Sequence, residues 1–267
     1  MRWVAFTVLL SVCSAAQAHD TWIQVDSPLV VAGDVAHVDL CLGNHGNEHR
    51  DFKLASKVEQ GGWSLDVTSP SGRKRDLTKV LTDTGLTTRE GFWTARYVAD
   101  EPGLHVITHQ LDKPHGTTRS VKSSKAYLYA ARQGQIADSS GDVSKPLGFP
   151  IELVPLFDPI LGSTAGQPLR VRVLHEAKPL ANAHVSFVPR SKSLQAGFDA
   201  KYERHTDAQG EAVWTPEEGD WVLICVHHMR DDQKGEGYDK TQYTATLALP
   251  VSQVPRQVVR QTATQGK

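Results

Sequence analysis

The stretch Leu169–Val188 reads LRVRVLHEAKPLANAHVSFV and shows the pattern that decides the fold. Apolar and polar residues alternate over Leu169–His175 and again over Ala183–Val188, with a turn at Glu176–Pro179 between them. Alternation with a period of two is typical of half-buried β-strands, because successive side chains point to opposite faces of a sheet. The stretch therefore predicts short strands joined by turns.

Similar strand-like runs occur on both sides of this stretch, and between His19 and Arg132 no segment has the period of an amphipathic helix. These runs are Val35–Leu42, Trp63–Val67, Phe92–Val98, Leu104–His109, Arg119–Tyr129 and Trp221–His228. We expect Phe92–Val98 and Leu104–His109 to pair as a hairpin around the turn Asp100–Gly103. Evenly spaced strands of this kind predict an all-β protein built from two antiparallel β-sandwiches.

A polar stretch of small residues separates the two predicted sandwiches. We place a linker at residues 133–147, between an N-terminal β-sandwich metal-binding domain at 19–132 and a C-terminal sandwich at 148–250. Residues 251–267 form a polar tail. The segments Pro179–Val185 and Thr206–Gly210 resemble prealbumin-like modules, so we expect the second sandwich to be Ig- or prealbumin-like.

The first eighteen residues have the features of a cleaved signal peptide. Arg2 precedes the apolar run Trp3–Leu10, and Ala16-Gln17-Ala18 fits a cleavage site. We therefore expect a periplasmic protein whose mature chain begins at His19. No other apolar run approaches the roughly 20 residues that cross a bilayer, so we do not expect a membrane-embedded protein. The net charge of −1 gives no basic surface for nucleic acid.

An N-terminal histidine is an uncommon metal ligand, because its α-amine and its imidazole can chelate one ion together. All twelve histidines lie beyond residue 18, so several could complete such a site. The mature chain also keeps Cys41 and Cys225, which could form a disulfide in an oxidising compartment or remain buried as small apolar residues. Without a CxxC spacing they indicate neither a thioredoxin-like nor a structural zinc site.

Strand periodicity narrows the histidines that could join His19. His105 and His109 lie about 13 Å apart along one strand face, so at most one of them binds a given ion, and His109 stands at the strand end. His228 ends a strand that leads into a polar loop, while His227 shares the other face with Cys225. The glycine-flanked loop at 43–49 offers His45. We expect His37, His175, His184 and His205 to lie on exposed strand surfaces.

Catalytic motifs are absent from the sequence. It has no Gly-x-Ser-x-Gly elbow, no His-Glu-x-x-His helix and no phosphate-binding glycine loop. Glu152 and Asp158 are two carboxylates at a spacing that gives only weak support for a glycosidase. We therefore predict a protein that is not an enzyme.

Several short motifs resemble the periplasmic accessory components of nickel and cobalt uptake systems. They are Ala18-His19-Asp20-x-Trp22, Gly103–Ile107, Gly148–Pro155, Gly219-Asp220-Trp221 and His228-Met229. The resemblance extends over most of the mature chain. It implies metal ligation by His19, His109 and His228, with His45 as a weaker match.

Together these observations predict that the protein binds Ni²⁺ or Co²⁺ in the periplasm and delivers it to an inner-membrane transporter. Cu²⁺ and Zn²⁺ remain alternatives, since amine and imidazole nitrogens bind all four ions. Two other classes stay open at this point. One is a carbohydrate-active protein, either a glycosidase or a copper oxidase that uses His19. The other is a structural or adhesion module in which the histidines bind no metal.

Overall fold

A computed structural model describes residues 19–43, 61–85, 91–132, 142–195 and 197–255 of the chain. These residues form seventeen β-strands and a single 3-10 turn at Thr78–Val80. The strands of the first half are β1 Asp20–Val25, β2 Leu29–Val31, β3 Val35–Gly43, β4 Trp63–Thr68, β5 Lys74–Asp76, β6 Leu81–Asp83, β7 Trp93–Val98, β8 Gly103–His115 and β9 Thr118–Ala131. Those of the second half are β10 Ile151–Pro155, β11 Leu169–His175, β12 Lys178–Pro179, β13 His184–Pro189, β14 Glu203–His205, β15 Glu211–Trp214, β16 Asp220–Arg230 and β17 Lys240–Val251.

The strands form three sheets. The front sheet has the order β1-β3-β7-β6, and the back sheet has the order β10-β11-β12 with β15 also paired to β11. The central sheet has nine strands in the order β14-β13-β16-β17-β9-β8-β4-β5, with β2 beside the end of β9. The prediction of an all-β, predominantly antiparallel fold is confirmed. Two pairings are parallel: β17 with β9, and β2 with β9.

The predicted hairpin between β7 and β8 is wrong. β7 pairs with β3 and β6 in the front sheet, whereas β8 pairs with β4 and β9 in the central sheet. The turn carries the chain from one layer to the other, so that Tyr97 of β7 and Ile107 of β8 meet in one core. Alternation shows that each strand has an apolar face. A strand can bury that face from either of the two packed sheets, so alternation does not show which sheet the strand joins.

The central sheet is covered on both faces. Along β9, Ala126 and Leu128 belong to the core beneath the front sheet, whereas Val121 and Tyr127 belong to the core beneath the back sheet. Since alternate side chains of a strand point to opposite faces, the front and back sheets lie on opposite sides of the central one. The fold has three layers where β9 and β17 form the middle.

Buried polar side chains of the central sheet fasten the open edge of β1. β1 pairs with β3 along one edge only and lies at the end of the front sheet, so the backbone groups on its other edge have no partner strand in that sheet. Buried backbone groups need a partner, and side chains of β9 and β17 supply it. The contacts are Lys122 Nζ to His19 O at 2.5 Å, Thr246 Oγ1 to Thr21 O at 2.8 Å, and Ile23 N to Ser124 Oγ at 3.0 Å.

The intervening residues of β9 fasten the back sheet in the same way. Ser123 Oγ donates to the carbonyl of Ile151 in β10 at 2.5 Å. Lys125 forms an ion pair with Glu152 at 2.7 Å, and the two side chains are only 2% and 1% exposed. Glu152 also accepts hydrogen bonds from the backbone N–H groups of residues 147–149. One strand thus connects all three layers.

The two halves of the sequence meet within the central sheet, where β17 runs parallel to β9 over Lys240–Leu247. The domain boundaries proposed from the sequence stay a prediction, and residues 133–141 of the proposed linker lie outside the described residues. The predicted signal peptide at 1–18 and most of the tail at 251–267 also lie outside the described residues. No helix among the described residues has the length and apolar character needed to cross a bilayer.

Candidate metal centre

Three side chains with metal-binding atoms converge where β1 crosses the central sheet. They are Asp20 of β1 and Cys225 and His227 of β16, and their donor atoms all lie within 4.8 Å of one another. Asp20 is separated from the other two by more than two hundred residues of sequence, so only the tertiary fold brings them together. The cluster lies on the face of the central sheet that the front sheet covers.

Local structure explains why these side chains point at one another. Cys225 and His227 are two residues apart in a strand, so they share a face. Below them, a small apolar cluster of Trp22, Cys41, Leu223 and Ala248 packs around Cys225. The two cysteines are buried and are not joined by a disulfide.

The geometry of the cluster is tight. His227 Nε2 lies 2.7 Å from Asp20 Oδ1, and Cys225 Sγ donates to Asp20 Oδ2 at 3.3 Å. The sulfur is 3.6 Å from His227 Nε2. The Asp20 side chain is 13% exposed and that of His227 is 43% exposed. The cluster is therefore anchored in the interior and open to solvent on the His227 side.

The electrostatics follow from burial and proximity. Partial burial opposes the charged imidazole, but the neighbouring Cys225 and Asp20 side chains outweigh it and raise the pKa of His227 well above its usual value. Burial acts to raise the pKa of Asp20, yet the His227 and Lys122 charges prevail and lower it. Burial and the Asp20 carboxylate raise the pKa of the Cys225 thiol to about 11. These shifts favour the charged forms of Asp20 and His227 and the neutral thiol of Cys225.

Lys122 supplies a further charge beside this pair. Its side chain is buried, and its ammonium donates to the His19 carbonyl. Burial lowers the pKa of Lys122, and the Asp20 carboxylate partly opposes that effect. The lysine fixes the backbone immediately before Asp20 and helps to keep the Asp20 carboxyl ionised.

Carboxylate, thiolate and imidazole are together a donor set for a borderline transition-metal ion. Binding would displace the protons now held by Cys225 and His227, since a ligand must offer a free electron pair. His19 adjoins Asp20 in sequence and is half-buried.

The structure separates the histidines predicted from the sequence. His19 precedes β1 and is half-buried. His109 is fully buried in β8, opposite Ser124 on the face toward the front sheet, and its Nδ1–H donates to the Ser64 carbonyl at 2.8 Å. His228 lies on the other face of the central sheet from His227, so His228 is not brought together with His19 and His109. His45 lies outside the described residues.

His228 instead lies against His175, the histidine of β11. The ring centroids are 4.8 Å apart, and Tyr243 contacts the His175 ring at 4.7 Å. The expectation that His175 lies on an exposed surface is wrong, because its residue exposure is 8%. In the sequence, His175 continues the apolar face of Leu169, Val171 and Val173, and that signal places it inward. His37, His184 and His205 are exposed as expected.

Sequence reasoning missed the convergence of Asp20, Cys225 and His227. It did place Cys225 and His227 on one strand face, which was the available signal. The motif that begins at His19 contains Asp20, but nothing in that motif marks the Asp20 carboxylate as a ligand. The missing information was that β1 would lie over β16, and nothing in either segment encodes that contact.

The chain belongs to a protein family defined by sequence. Residues 16–230 match the family model described as a domain of unknown function, DUF4198. The family match includes all the residues of the Asp20, Cys225 and His227 cluster. No curated protein is significantly similar to the chain.

Several solved structures show distant similarity. The D0-D1 domain of intimin is 14% identical, with 86% of this chain and 97% of that chain covered and a TM-score of 0.25. A DUF4785 family protein from Legionella pneumophila is 12% identical, with coverages of 76% and 51% and a TM-score of 0.29. The adhesin InvE from Yersinia pseudotuberculosis is 16% identical, with coverages of 86% and 58% and a TM-score of 0.20. At these values the similarities do not bear on function.

Proposed function

We propose that this protein binds a divalent transition-metal ion at Asp20, Cys225 and His227, with His19 as a further ligand once the chain begins there. The observation that carries the proposal is the convergence of three different donor groups to within 4.8 Å. A carboxylate and an imidazole alone would form an ordinary ion pair. A thiol 3.3 Å from that carboxylate adds a third donor that an ion pair does not need.

The physiological role that we propose is capture of Ni²⁺ or Co²⁺ in the periplasm for delivery to an inner-membrane transporter. The choice of these ions and of the transporter rests on the resemblance to nickel and cobalt uptake components. The donor set also suits Cu²⁺ and Zn²⁺. Partial exposure of His227 supports exchange of the ion with a partner, because one ligand of the site is reachable from solvent.

The competing explanation is structural. Asp20 and His227 could serve only to hold β1 on the central sheet, with Cys225 as a buried apolar residue. Such a role predicts loss of stability when either partner is replaced, without any metal dependence.

Calorimetric titration with NiCl₂, CoCl₂, CuCl₂ and ZnCl₂ tests the proposal. The protein should be tag-free and begin at His19, and a second version should carry one additional residue before His19. We expect a saturable site that takes one ion and whose affinity weakens at least ten-fold in Cys225→Ser and in His227→Gln. Cys41→Ser, in the same apolar cluster, is the matched control and should bind normally.

Cobalt gives a direct readout of the thiolate. A sulfur-to-cobalt charge-transfer band in the near ultraviolet should appear in the wild type and in Cys41→Ser but not in Cys225→Ser. Equal binding by the two N-terminal versions would remove the His19 amine from the ligand set. Absence of binding for all four ions, or unchanged binding in both site variants, would overturn the proposal and favour the structural explanation.

A further inference from the structure

His227 and His228 are adjacent in β16, so their side chains lie on opposite faces of the central sheet. His227 faces the metal centre beneath the front sheet, whereas His228 lies beneath the back sheet. The residues around His228 are therefore separate from the cluster of Asp20, Cys225 and His227.

We propose that His175 and His228 form a second, separate site for a divalent transition-metal ion on the back face of the central sheet. His175 comes from β11 of the back sheet and His228 from β16 of the central sheet. The ion would thus join the back sheet to the central sheet.

The ring geometry fits two ligands of one ion. Metal–nitrogen bonds of about 2.0–2.1 Å place the centroids of two imidazoles on one ion roughly 5 Å apart at a tetrahedral angle. The His175 and His228 centroids are 4.8 Å apart, with an interplanar angle of 64°.

A second observation comes from the hydrogen bonds of His175. Its Nε2 is buried and has no hydrogen-bond partner within the described part of the chain. A buried polar nitrogen without a partner is destabilising, so it requires an explanation. Tyr243 contacts His175 through its ring, and the hydroxyl of this tyrosine donates to Gln233 Oε1 at 2.6 Å. A metal ion held with His228 would satisfy the nitrogen.

The surroundings permit a cation. Arg230 is the nearest cationic side chain along the strand, and its guanidinium is held in a bidentate pair with Asp232. Glu176 follows His175 directly, and its carboxylate opposes the effect of Arg230 on the His175 imidazole. The remaining coordination positions would be taken by water at the partly open side of His228.

Titration of the tag-free full chain with ZnCl₂, observed by NMR of the ¹⁵N-labelled imidazoles, tests this second site. We expect the His175 and His228 nitrogens to shift together as zinc saturates the site. The shifts should persist in Cys225→Ser and His227→Gln, which remove the ligands of the first site. Failure of the first site would therefore leave this result unchanged.

Variants then separate coordination from ring packing. His228→Asn should weaken zinc binding at His175 at least ten-fold, whereas Tyr243→Phe should leave it unchanged. His184→Asn is the matched control, because His184 and His205 are also adjacent histidines on paired strands but are exposed. If zinc shifts neither imidazole, or if His228→Asn leaves the His175 response intact, the second site does not exist.

Discussion

His105 shows how a single buried histidine makes the fold sensitive to pH. The residue is fully buried; its Nδ1 accepts a hydrogen bond from the Tyr97 hydroxyl at 2.8 Å, and its Nε2–H donates to the Glu101 carbonyl at 2.7 Å. Burial lowers the pKa of His105, against the opposing effects of Glu101 and Asp100 and with a small contribution from Arg73. The folded protein therefore holds this imidazole neutral.

From this shift we predict that His105 destabilises the fold in acid. Between the lowered pKa and about 6.5, the unfolded chain binds a proton that the folded chain does not. The stabilisation is thus complete above the unfolded pKa and is lost as the pH falls, by at most about 1.4 kcal/mol per pH unit. Urea unfolding of the wild type and His105→Gln from pH 7.5 to 5 measures it. The stability difference should shrink on acidification; a difference independent of pH would contradict the prediction.

For single residues, the sequence predicts which face of a strand a side chain points to better than it predicts which residues surround that side chain. Alternation correctly placed Cys225 with His227 and opposite His228. It could not show that Asp20 would join them, because a contact between segments so far apart depends on which strands share a layer. The expectation for His175 is wrong for a different reason: its residue type favours the surface, whereas its position at the end of an apolar strand face favours burial.

At the scale of elements, β1 is held along both edges, by β3 on one side and by side chains of the central sheet on the other. It is an edge strand, and its outer backbone groups meet the hydroxyls of Ser124 and Thr246 and the ammonium of Lys122. Hydroxyls and an ammonium buried on the middle strands are therefore not defects of the core. They position the strand that carries Asp20.

We predict that Ser124→Ala loosens β1 locally. The variant leaves the buried Ile23 N–H without its acceptor, which costs about 1–3 kcal/mol. Hydrogen exchange at the Ile23 amide should accelerate roughly ten-fold or more, since every 1.4 kcal/mol corresponds to a factor of ten. Ser120→Ala, at a half-buried position of the same strand, is the control and should leave this amide unchanged. Equal acceleration in both variants would show that the Ser124 hydroxyl does not hold β1.

The elements themselves were largely predictable, but their partners were not. The strands at 35–43, 63–68 and 169–175 follow from the alternation of apolar and polar residues, and the strand at 220–230 follows from its continuous apolar run. The polar run Lys122, Ser123, Ser124 and Lys125 of β9 suggests a surface strand in the sequence. The structure buries these residues because β9 is covered on both faces. These side chains bind β1 on one face and β10 on the other, and the sequence of β9 alone does not show either contact.

At the scale of the whole molecule, the shared central sheet makes the two halves depend on each other. β9 contributes to the front core through Leu128 and to the back core through Tyr127. The pair Lys125 and Glu152 adds a buried electrostatic link between β9 and the back sheet. Unfolding of either core would remove packing from the same strand, so we expect a single cooperative transition rather than two.

The variant Glu152→Gln tests this coupling. It leaves Lys125 buried without its counter-charge, and breaking one side of a buried ion pair costs about 3–5 kcal/mol. If the molecule unfolds as one unit, the slowest-exchanging amides of both cores, such as those of Ile107 and Val171, should lose the same protection. Loss confined to Val171 would mean that the back sandwich unfolds by itself, as two independent domains would. A matched measurement on Glu217→Gln, whose ion pair with Lys201 is exposed, should change neither amide, because exposed pairs contribute little to stability.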